Sequence, residues 1–202
     1  MDVSALKKDK YLVNLDSKAG SITCSDADGN ILFGISQKSD PSAPIQFLGA
    51  GGKLIAQIKQ SQTTPYMEIY DDSGKMIGYA GMHWQLGAAI LNDPENNSIA
   101  VGISEGDFKN FKVAKTDGKT IIATINLSMT DQAKGQAIIT VQEQFLQPLL
   151  LLGFIFAVPR LLPKDHTQHG AGGGGGLLSL WFAGGMIWRG GGMPGLRGFG
   201  GI

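Results

Sequence analysis

The chain has 202 residues and a mass of 21.3 kDa, which fits one domain, or one domain with a tail. Its 17 basic and 17 acidic side chains cancel, which excludes a nucleic-acid binder driven by bulk positive charge. A single cysteine, Cys24, excludes an internal disulfide and a cysteine-based zinc site. We predict no metal and no cofactor. The first residues lack the apolar run of a secretory signal, which predicts an intracellular protein.

Glycine divides the chain into two parts. Residues 166–202 contain 15 of the 30 glycines, with two arginines and no acidic side chain. We therefore predict a folded domain over residues 1–165 and a distinct glycine-rich tail with apolar and aromatic side chains over residues 166–202.

A turn followed by a strand of alternating hydrophobicity recurs five times in the domain. Glycine or asparagine occupies each turn, as a tight turn with positive φ requires. These turn residues lie 21 to 23 positions apart and are Gly29, Gly52, Gly74, Asn97 and Gly118. The period of two predicts strands, because a helix does not keep this register.

In four of these strands every second residue is apolar, and polar residues such as Gln57 and Thr124 fall on the other face. We expect the apolar sets to face the core. They are Ile31, Phe33 and Ile35; Leu54, Ala56 and Ile58; Ile99, Val101 and Ile103; and Ile121, Ala123 and Ile125. Cys24 alternates with Ile22 and is predicted to face inward as a small apolar residue.

Short strands recur about every ten residues through the whole domain, which predicts a mainly β sandwich or barrel. Twelve strands are predicted, at residues 10–15, 21–25, 31–37, 45–48, 53–60, 66–70, 75–82, 86–91, 98–104, 108–114, 119–127 and 136–142.

The pattern then changes to a run that is apolar on every face, near residues 148–158. Pro148 suits a first helical turn, and Pro159 predicts that the helix ends near Ala157 or Val158. Such a helix must be buried on all sides, by protein or by lipid. A run of 10 to 14 residues is short for a membrane span, which favours burial in protein.

A closed antiparallel sheet of about twelve strands is wide enough to hold one helix. We therefore predict a barrel around the helix near residues 148–158. The alternative is pairing of open strand edges with another chain, which would produce the same sequence pattern.

This architecture resembles the tubby C-terminal-like family, which includes the LURP-one-related and phospholipid-scramblase-like proteins. The resemblance is carried by the hairpins at residues 71–80 and 117–125 and by the closing run 148–158, and it covers about residues 8–163. It implies a binding or membrane-associated module whose ligand is open. The basic headgroup motif of tubby proteins has no counterpart here. The same holds for the cysteine-rich and acidic calcium-binding segments of the scramblase branch.

Three short motifs imitate known sites and are interpreted as turns. Residues 102–106 match G-x-S-x-G, but a strand rather than a helix is predicted to follow. Residues 118–120 imitate the end of a P-loop, whose first glycine would fall at Val113. Residues 26–29 imitate the start of a calcium loop, and the remaining ligands are missing. The neighbours that a metal site needs are also missing around the histidines His83, His166 and His169. We predict that the protein is not an enzyme.

Four lysines near one hairpin are candidates for contact with anionic phospholipid headgroups. They are Lys109, Lys112, Lys115 and Lys119. The alternative is solvated strand faces that discourage edge pairing.

The tail contains an apolar and aromatic segment, residues 177–189, that is too short and too rich in glycine to span a bilayer. Its candidate docking residues are Leu177, Leu178, Leu180, Trp181, Phe182, Met186, Ile187, Trp188 and Arg189. Side chains of this kind suit a groove on a partner protein or a membrane interface, and a segment without a role is the third alternative.

Two functions follow from these features. The first is a non-enzymatic binding or scaffold module that docks to a membrane-associated protein complex through its tail. The alternative is a scramblase-like peripheral membrane protein that binds phospholipid headgroups through the lysines. Nucleic acid is predicted for neither.

Overall fold

In a computed structural model, twelve antiparallel strands form a closed barrel around one α-helix. The structure describes residues 3–16, 21–37, 42–83, 88–104, 110–129 and 134–161. The strands are β1 (Lys10–Asp16), β2 (Ser21–Asp26), β3 (Ile31–Ser36), β4 (Ile45–Leu48), β5 (Leu54–Gln60), β6 (Met67–Asp71), β7 (Met76–His83), β8 (Ala88–Asn92), β9 (Ser98–Ser104), β10 (Asn110–Lys115), β11 (Ile121–Met129) and β12 (Lys134–Val141). Helix α1 spans Pro148–Leu161, and short 3₁₀ helices span Val3–Leu6 and Ala50–Gly52.

The barrel closes by pairing its first strand with its last. β1 and β12 are antiparallel, from Lys10 opposite Thr140 to Asp16 opposite Lys134. All other neighbours in the barrel are consecutive strands. The prediction of a closed sheet, rather than of open strand edges, is therefore confirmed. Both ends of each predicted strand lie within two residues of the observed ends.

Five hairpin turns lie at the same end of the barrel, which we call the tight-turn end; they connect β2 to β3, β4 to β5, β6 to β7, β8 to β9 and β10 to β11. In the β6–β7 turn, Gly74 has φ +81° and its N–H donates to the carbonyl oxygen of Asp71. The β8–β9 turn repeats this geometry with Asn96 at φ +71°. The predicted turn residue Asn97 was therefore displaced by one position, because Asp93 takes the place of Asp71.

A β-bulge adjoins each of these five turns, where the strand register shifts. Because the bulge interrupts the alternation of faces, the first residue of the strand after the turn does not share a face with the residues expected to alternate with it. Ile31 is 70% exposed, although Phe33 and Ile35 behind it are buried. Leu54 and Ile121 are half-buried for the same reason. The expectation that these three residues face the core was wrong.

Helix α1 runs through the barrel from the tight-turn end to the opposite end. It begins shortly after β12, which ends at the tight-turn end, and Arg160 Nη1 donates to the carbonyl oxygen of Ala43 at the start of β4, 2.6 Å away. Every residue of α1 except Arg160 is buried. This confirms that protein surrounds the helix.

The helix continues past the predicted end near Ala157 or Val158, with Pro159 inside its last turn. Proline at this position removes one backbone donor, the one that would bond to the carbonyl of residue 155. Burial of Leu161 and the hydrogen bond from Arg160 stabilise the last turn and outweigh that loss.

Inside the barrel, α1 lies closest to strands β5 to β8. A Cβ atom added to Gly153 would lie 2.6 Å from Ile69 Cγ2, and one added to Gly78 would lie 2.7 Å from Leu150 Cδ1. On the other side the space is filled by aromatic rings: Phe47 stacks on Phe33 at a centroid distance of 5.0 Å.

The N-terminal 3₁₀ helix covers the tight-turn end and contacts α1. Leu6 is fully buried there, and its carbonyl oxygen accepts a hydrogen bond from the Tyr11 hydroxyl at 2.6 Å. Lys8 Nζ lies 3.2 Å from Asp26 Oδ2 and joins this segment to the β2–β3 turn.

Candidate functional site: the outer face of strands β7 to β9

The interior of the barrel is occupied. Thirteen residues of α1 are buried against the inward-facing side chains of the strands. Within the described ranges, ligands must therefore bind on the outer face of the wall or at its two ends.

Most of the outer face consists of polar cross-strand pairs. Gln46 lies opposite Gln57, and Thr124 lies opposite Thr140. Gln136 lies opposite Asn14 and donates to its side-chain oxygen at 2.9 Å. This is the pattern of an antiparallel sheet with one face in water.

Strands β7 to β9 depart from this pattern because most of their outward side chains are apolar or aromatic. Ile90 lies opposite Gly81 on one side and Val101 on the other, which makes a continuous row across three strands. Ile103 follows two residues after Val101 on the same face. Ile90, Val101 and Ile103 are half-buried by their neighbours, and none belongs to the core cluster around α1.

Two tyrosines extend this surface. Tyr66 stacks on Tyr79 with a centroid distance of 5.1 Å, and the Tyr79 hydroxyl donates to Asn96. The Tyr66 ring also lies against Gly81, where an added Cβ would come within 2.9 Å of it. Tyr66 remains 37% exposed. We call the surface formed by Tyr66, Tyr79, Gly81, Ile90, Val101 and Ile103 the β7–β9 face.

This surface corrects one expectation from the sequence. Val101 and Ile103 were assigned to the core face of β9, but the residues that face α1 are Ala100 and Gly102. A Cβ on Gly102 would clash with the Phe111 ring and lie 3.2 Å from the Phe154 ring, so a larger residue would force these rings to shift. Ile99 is half-buried and packs against the core.

The missed signal is the continuous apolar composition of β8 and β9, whose sequences are AAILN and SIAVGIS. Alternation assigns a face only where one parity is polar, and here both parities are apolar.

The four candidate lysines lie in different surroundings. Lys109 is outside the described residues. Lys112 lies opposite Ile103 on the outer face of β10, and Lys119 is exposed in the β10–β11 turn. Lys115 Nζ lies 2.6 Å from Glu143 Oε1 and 4.7 Å from the centre of the Phe145 ring, so its charge is already partly neutralised.

The carboxylates at the tight-turn end hold the turns together. The Ser73 hydroxyl and the N–H groups of Ser73 and Lys75 all donate to Asp71 Oδ1, which lowers the pKa of Asp71. Hydrogen bonds from Asn97 lower the pKa of Asp93 in the same way.

Two further carboxylates in the hairpin turns, those of Asp26 and Asp117, also have lowered pKa values. Burial would raise the pKa of Asp26, but hydrogen bonds from Asn30 and the charge of Lys8 outweigh it and lower the pKa. Hydrogen bonds from the backbone of Thr120 and Lys119 lower the pKa of Asp117. These partners give each carboxylate a structural role.

The motifs interpreted as turns keep that interpretation where the structure describes them. Residues 26–29 and 118–120 lie in hairpin turns, with Gly29 and Gly118 at positive φ. A hydrolase nucleophile elbow needs a helix after the serine, and the next element that the structure describes after Ser104 is strand β10. Residues 105–109 lie outside the described chain.

Cys24 faces the core as expected and is fully buried, and burial raises the pKa of its thiol to about 12. His83 ends β7, and its Nδ1 is buried without a hydrogen-bond partner among the described residues. His166, His169 and the candidate docking residues 177–189 lie outside the described chain.

The described residues contain no group of three histidine, cysteine or acidic side chains that could hold a metal ion. Among them, α1 is also too short to be a membrane-crossing helix.

The fold is similar to that of a protein from Arabidopsis thaliana known from an X-ray structure. The two align with a TM-score of 0.54 and 10% sequence identity, covering 76% of this chain and 92% of the plant chain. No family model and no curated protein matches the sequence. At this level of identity the likeness supports the fold alone.

Proposed function

We propose that this protein is a non-enzymatic binding and scaffold subunit that docks to a membrane-associated protein complex through its C-terminal tail. The barrel is its rigid body, and residues 177–189 are its docking arm. The observation that carries the proposal is the filled interior. Because α1 occupies the space in which wide barrels hold ligands, binding falls to the outside of the wall and to the tail.

The composition of the docking arm supports a protein groove as its target. Tryptophan and arginine are enriched among the few residues that supply most of the energy at protein interfaces, and Trp181, Trp188 and Arg189 lie close together in the sequence. Tryptophan beside arginine also suits the surface of a membrane, and for this reason we propose that the partner complex is membrane-associated.

The surroundings of the titratable groups support a non-enzymatic role. Asp26, Asp71, Asp93 and Asp117 accept hydrogen bonds within their own turns. Cys24 is buried with a pKa of about 12, so its thiolate, the nucleophilic form, is scarce at neutral pH.

The test compares the full chain with two matched variants. One variant carries Trp181→Ser and Trp188→Ser, and the other carries Lys112→Gln and Lys119→Gln. Each protein is used to capture partners from detergent-solubilised membranes and is floated with phosphatidylcholine vesicles, with and without phosphatidylserine. We expect a defined set of proteins to bind the wild type and the lysine variant, to be lost from the tryptophan variant, and to resist added salt.

Other results would overturn this proposal. Flotation that needs phosphatidylserine, fades with salt and is lost in the lysine variant would assign the protein to phospholipid headgroup binding, the scramblase-like alternative. Equal capture by the wild type and the tryptophan variant would remove the docking role from the tail.

A further inference from the structure

The β7–β9 face has no cover among the described residues. Its apolar row from Gly81 through Ile90 to Val101 lies on a wall whose other outward positions are mainly polar pairs. Apolar side chains grouped on an outer surface mark a place where another segment or molecule binds. The question is which occupant the chain itself points to.

We infer that residues 177–189 of the same chain lie across the β7–β9 face. The first reason is position. Helix α1 ends with Leu161 at the barrel end opposite the tight turns, and it lies closest to strands β5 to β8. Tyr66 and Ile103 lie at that same end of the face. The chain therefore leaves the barrel beside the surface that needs a cover.

The second reason is reach. Residues 162–176 separate α1 from the segment. A glycine-rich chain of this length has a root-mean-square end-to-end distance of about 20 Å. The distance across the wall from β6 to β9 is three strand spacings, or about 15 Å. The linker thus matches the span, the condition under which an intramolecular contact has its highest effective concentration, on the order of millimolar.

The third reason is complementary chemistry. The segment carries large apolar side chains, including Trp181, Phe182 and Trp188, while its glycines oppose an independent helix. It can bury these side chains only against another surface. At one edge of the face, His83 Nδ1 is buried and accepts no hydrogen bond from a described residue. A segment across this edge places backbone or indole N–H donors near that nitrogen.

This inference goes beyond the proposed function and stands or falls separately from it. In the purified protein the arm rests on its own barrel, and a partner complex competes with the β7–β9 face for it. The apparent affinity for the partner is then reduced by the fraction of molecules whose arm is released.

The first test is disulfide trapping in the full chain. One variant carries Ser179→Cys with Val101→Cys, and its control carries Ser179→Cys with Thr124→Cys on the outer face of β11. Both barrel positions are outward and half-buried, and Cys24 is fully buried and does not compete. We expect the Val101 variant to form an intramolecular disulfide at least tenfold faster than the control, which is more than the longer span to Thr124 alone would give a free tail.

Two results would overturn the inference. Equal rates in the two variants mean that the tail has no preferred seat on the barrel. Disulfide-linked dimers from the Val101 variant, increasing with protein concentration, mean that a second copy covers the face.

A second test uses tail fluorescence and needs no cysteine. In a Trp84→Phe background, Trp181 and Trp188 are the remaining tryptophans. We expect Val101→Lys to shift their emission to longer wavelength by exposing them to water, while Thr124→Lys leaves it unchanged. Far-ultraviolet circular dichroism verifies that both variants are folded. An unchanged emission in folded Val101→Lys contradicts the inference, whatever the capture experiments show for the partner complex.

Discussion

Strands β1 to β4 and strands β7 to β9 enclose the same helix with opposite distributions of side-chain size and polarity. On the first wall, the inward positions hold large rings such as Phe33 and Phe47, and the outer face is mainly polar. On the second wall, the inward positions hold Gly78, Ala80 and Gly102, and the outer face is apolar. The small inward residues Gly78 and Ala80 let α1 approach β7, and the large rings fill the space on the side of β3 and β4.

The comparison teaches that the two faces of one strand serve different requirements. Inward side chains must fit the helix, so their size varies around the barrel. Outward side chains need not fit the helix, so their polarity indicates what surrounds the protein. The apolar outer face of β7 to β9 is therefore not a by-product of core packing.

The largest expected effect comes from removing an aromatic ring from the inner face of the first wall, strands β1 to β4. Phe47 is fully buried and stacks on Phe33. It also packs edge-to-face against Phe156, with a centroid distance of 5.5 Å. We expect Phe47→Ala to lower the free energy of unfolding by about 3–5 kcal/mol, because it leaves a cavity between wall and helix. Urea denaturation measures this, and Phe47→Leu should cost clearly less. Equal, small losses would mean that this wall collapses onto α1.

The next effect tests the close approach of α1 to strand β6, which adjoins the second wall, by adding one methyl group. We expect Gly153→Ala to destabilise the fold by about 1–3 kcal/mol, although alanine favours helix, because the new Cβ would lie 2.6 Å from Ile69 Cγ2. Combining it with Ile69→Ala should give less than the sum of the two losses.

Gly34→Ala on the other wall is the matched control for that experiment. Its Cβ would meet only the carbonyl oxygens of Ile22 and Leu48, each at 3.9 Å, so we expect little change in stability. A Gly153→Ala variant as stable as Gly34→Ala would show that α1 can shift away from β6.

A smaller effect concerns the β6–β7 turn, which leads into the second wall, strands β7 to β9. Asp71→Ala removes the acceptor for three donors in the β6–β7 turn and should cost about 1 kcal/mol, because the exposed donors can turn to water. The folded-state pKa of Asp71 is lowered by its hydrogen bond from Ser73. Its contribution is therefore complete above the unfolded pKa of about 4 and is lost as pH falls through the folded value.

The pH dependence provides the check on that assignment. Urea midpoints of the wild type and Asp71→Ala should converge as the pH falls below about 4. A difference that is constant with pH would instead assign the loss to packing, since a methyl group does not titrate.

The smallest effect should come from the outer face itself. We expect Val101→Thr and Thr124→Val to change the free energy of unfolding by less than about 0.5 kcal/mol each, because neither side chain packs on the core. Thermal unfolding of the two variants measures this. A loss above about 2 kcal/mol in Val101→Thr would place that residue in the core and remove the contrast between the walls.

The sequence predicted the strands well because their signals are local. Alternation and turn residues such as Gly74 determine where a strand begins, and neither depends on distant contacts. The helix was predicted from Pro148 onward for the same reason. Its extension through Pro159 was not, because it depends on the contact of Arg160 with Ala43, residues 117 positions apart.

The candidate site was harder to predict. Val101 and Ile103 belong to a strand with apolar residues at both parities, and the parity that faces inward is seen only in the contacts of Gly102 with Phe111 and Phe154. Lys115 was a candidate for headgroup binding by sequence, and its contact with Glu143 arises from a segment that returns from β12. The predictions for residues 177–189 remain open to the experiments described above.

Pairing of β1 with β12 has a consequence for how the chain reaches its folded state. Asn14 and Gln136, which meet across this seam, are 122 residues apart in the sequence. Contacts of such separation form slowly, since the entropy of a long loop must be lost before they form. The helix that fills the barrel also follows all twelve strands in the chain. Until the helix packs inside, the sheet cannot close and its concave apolar surface is exposed. In that state aggregation competes with folding.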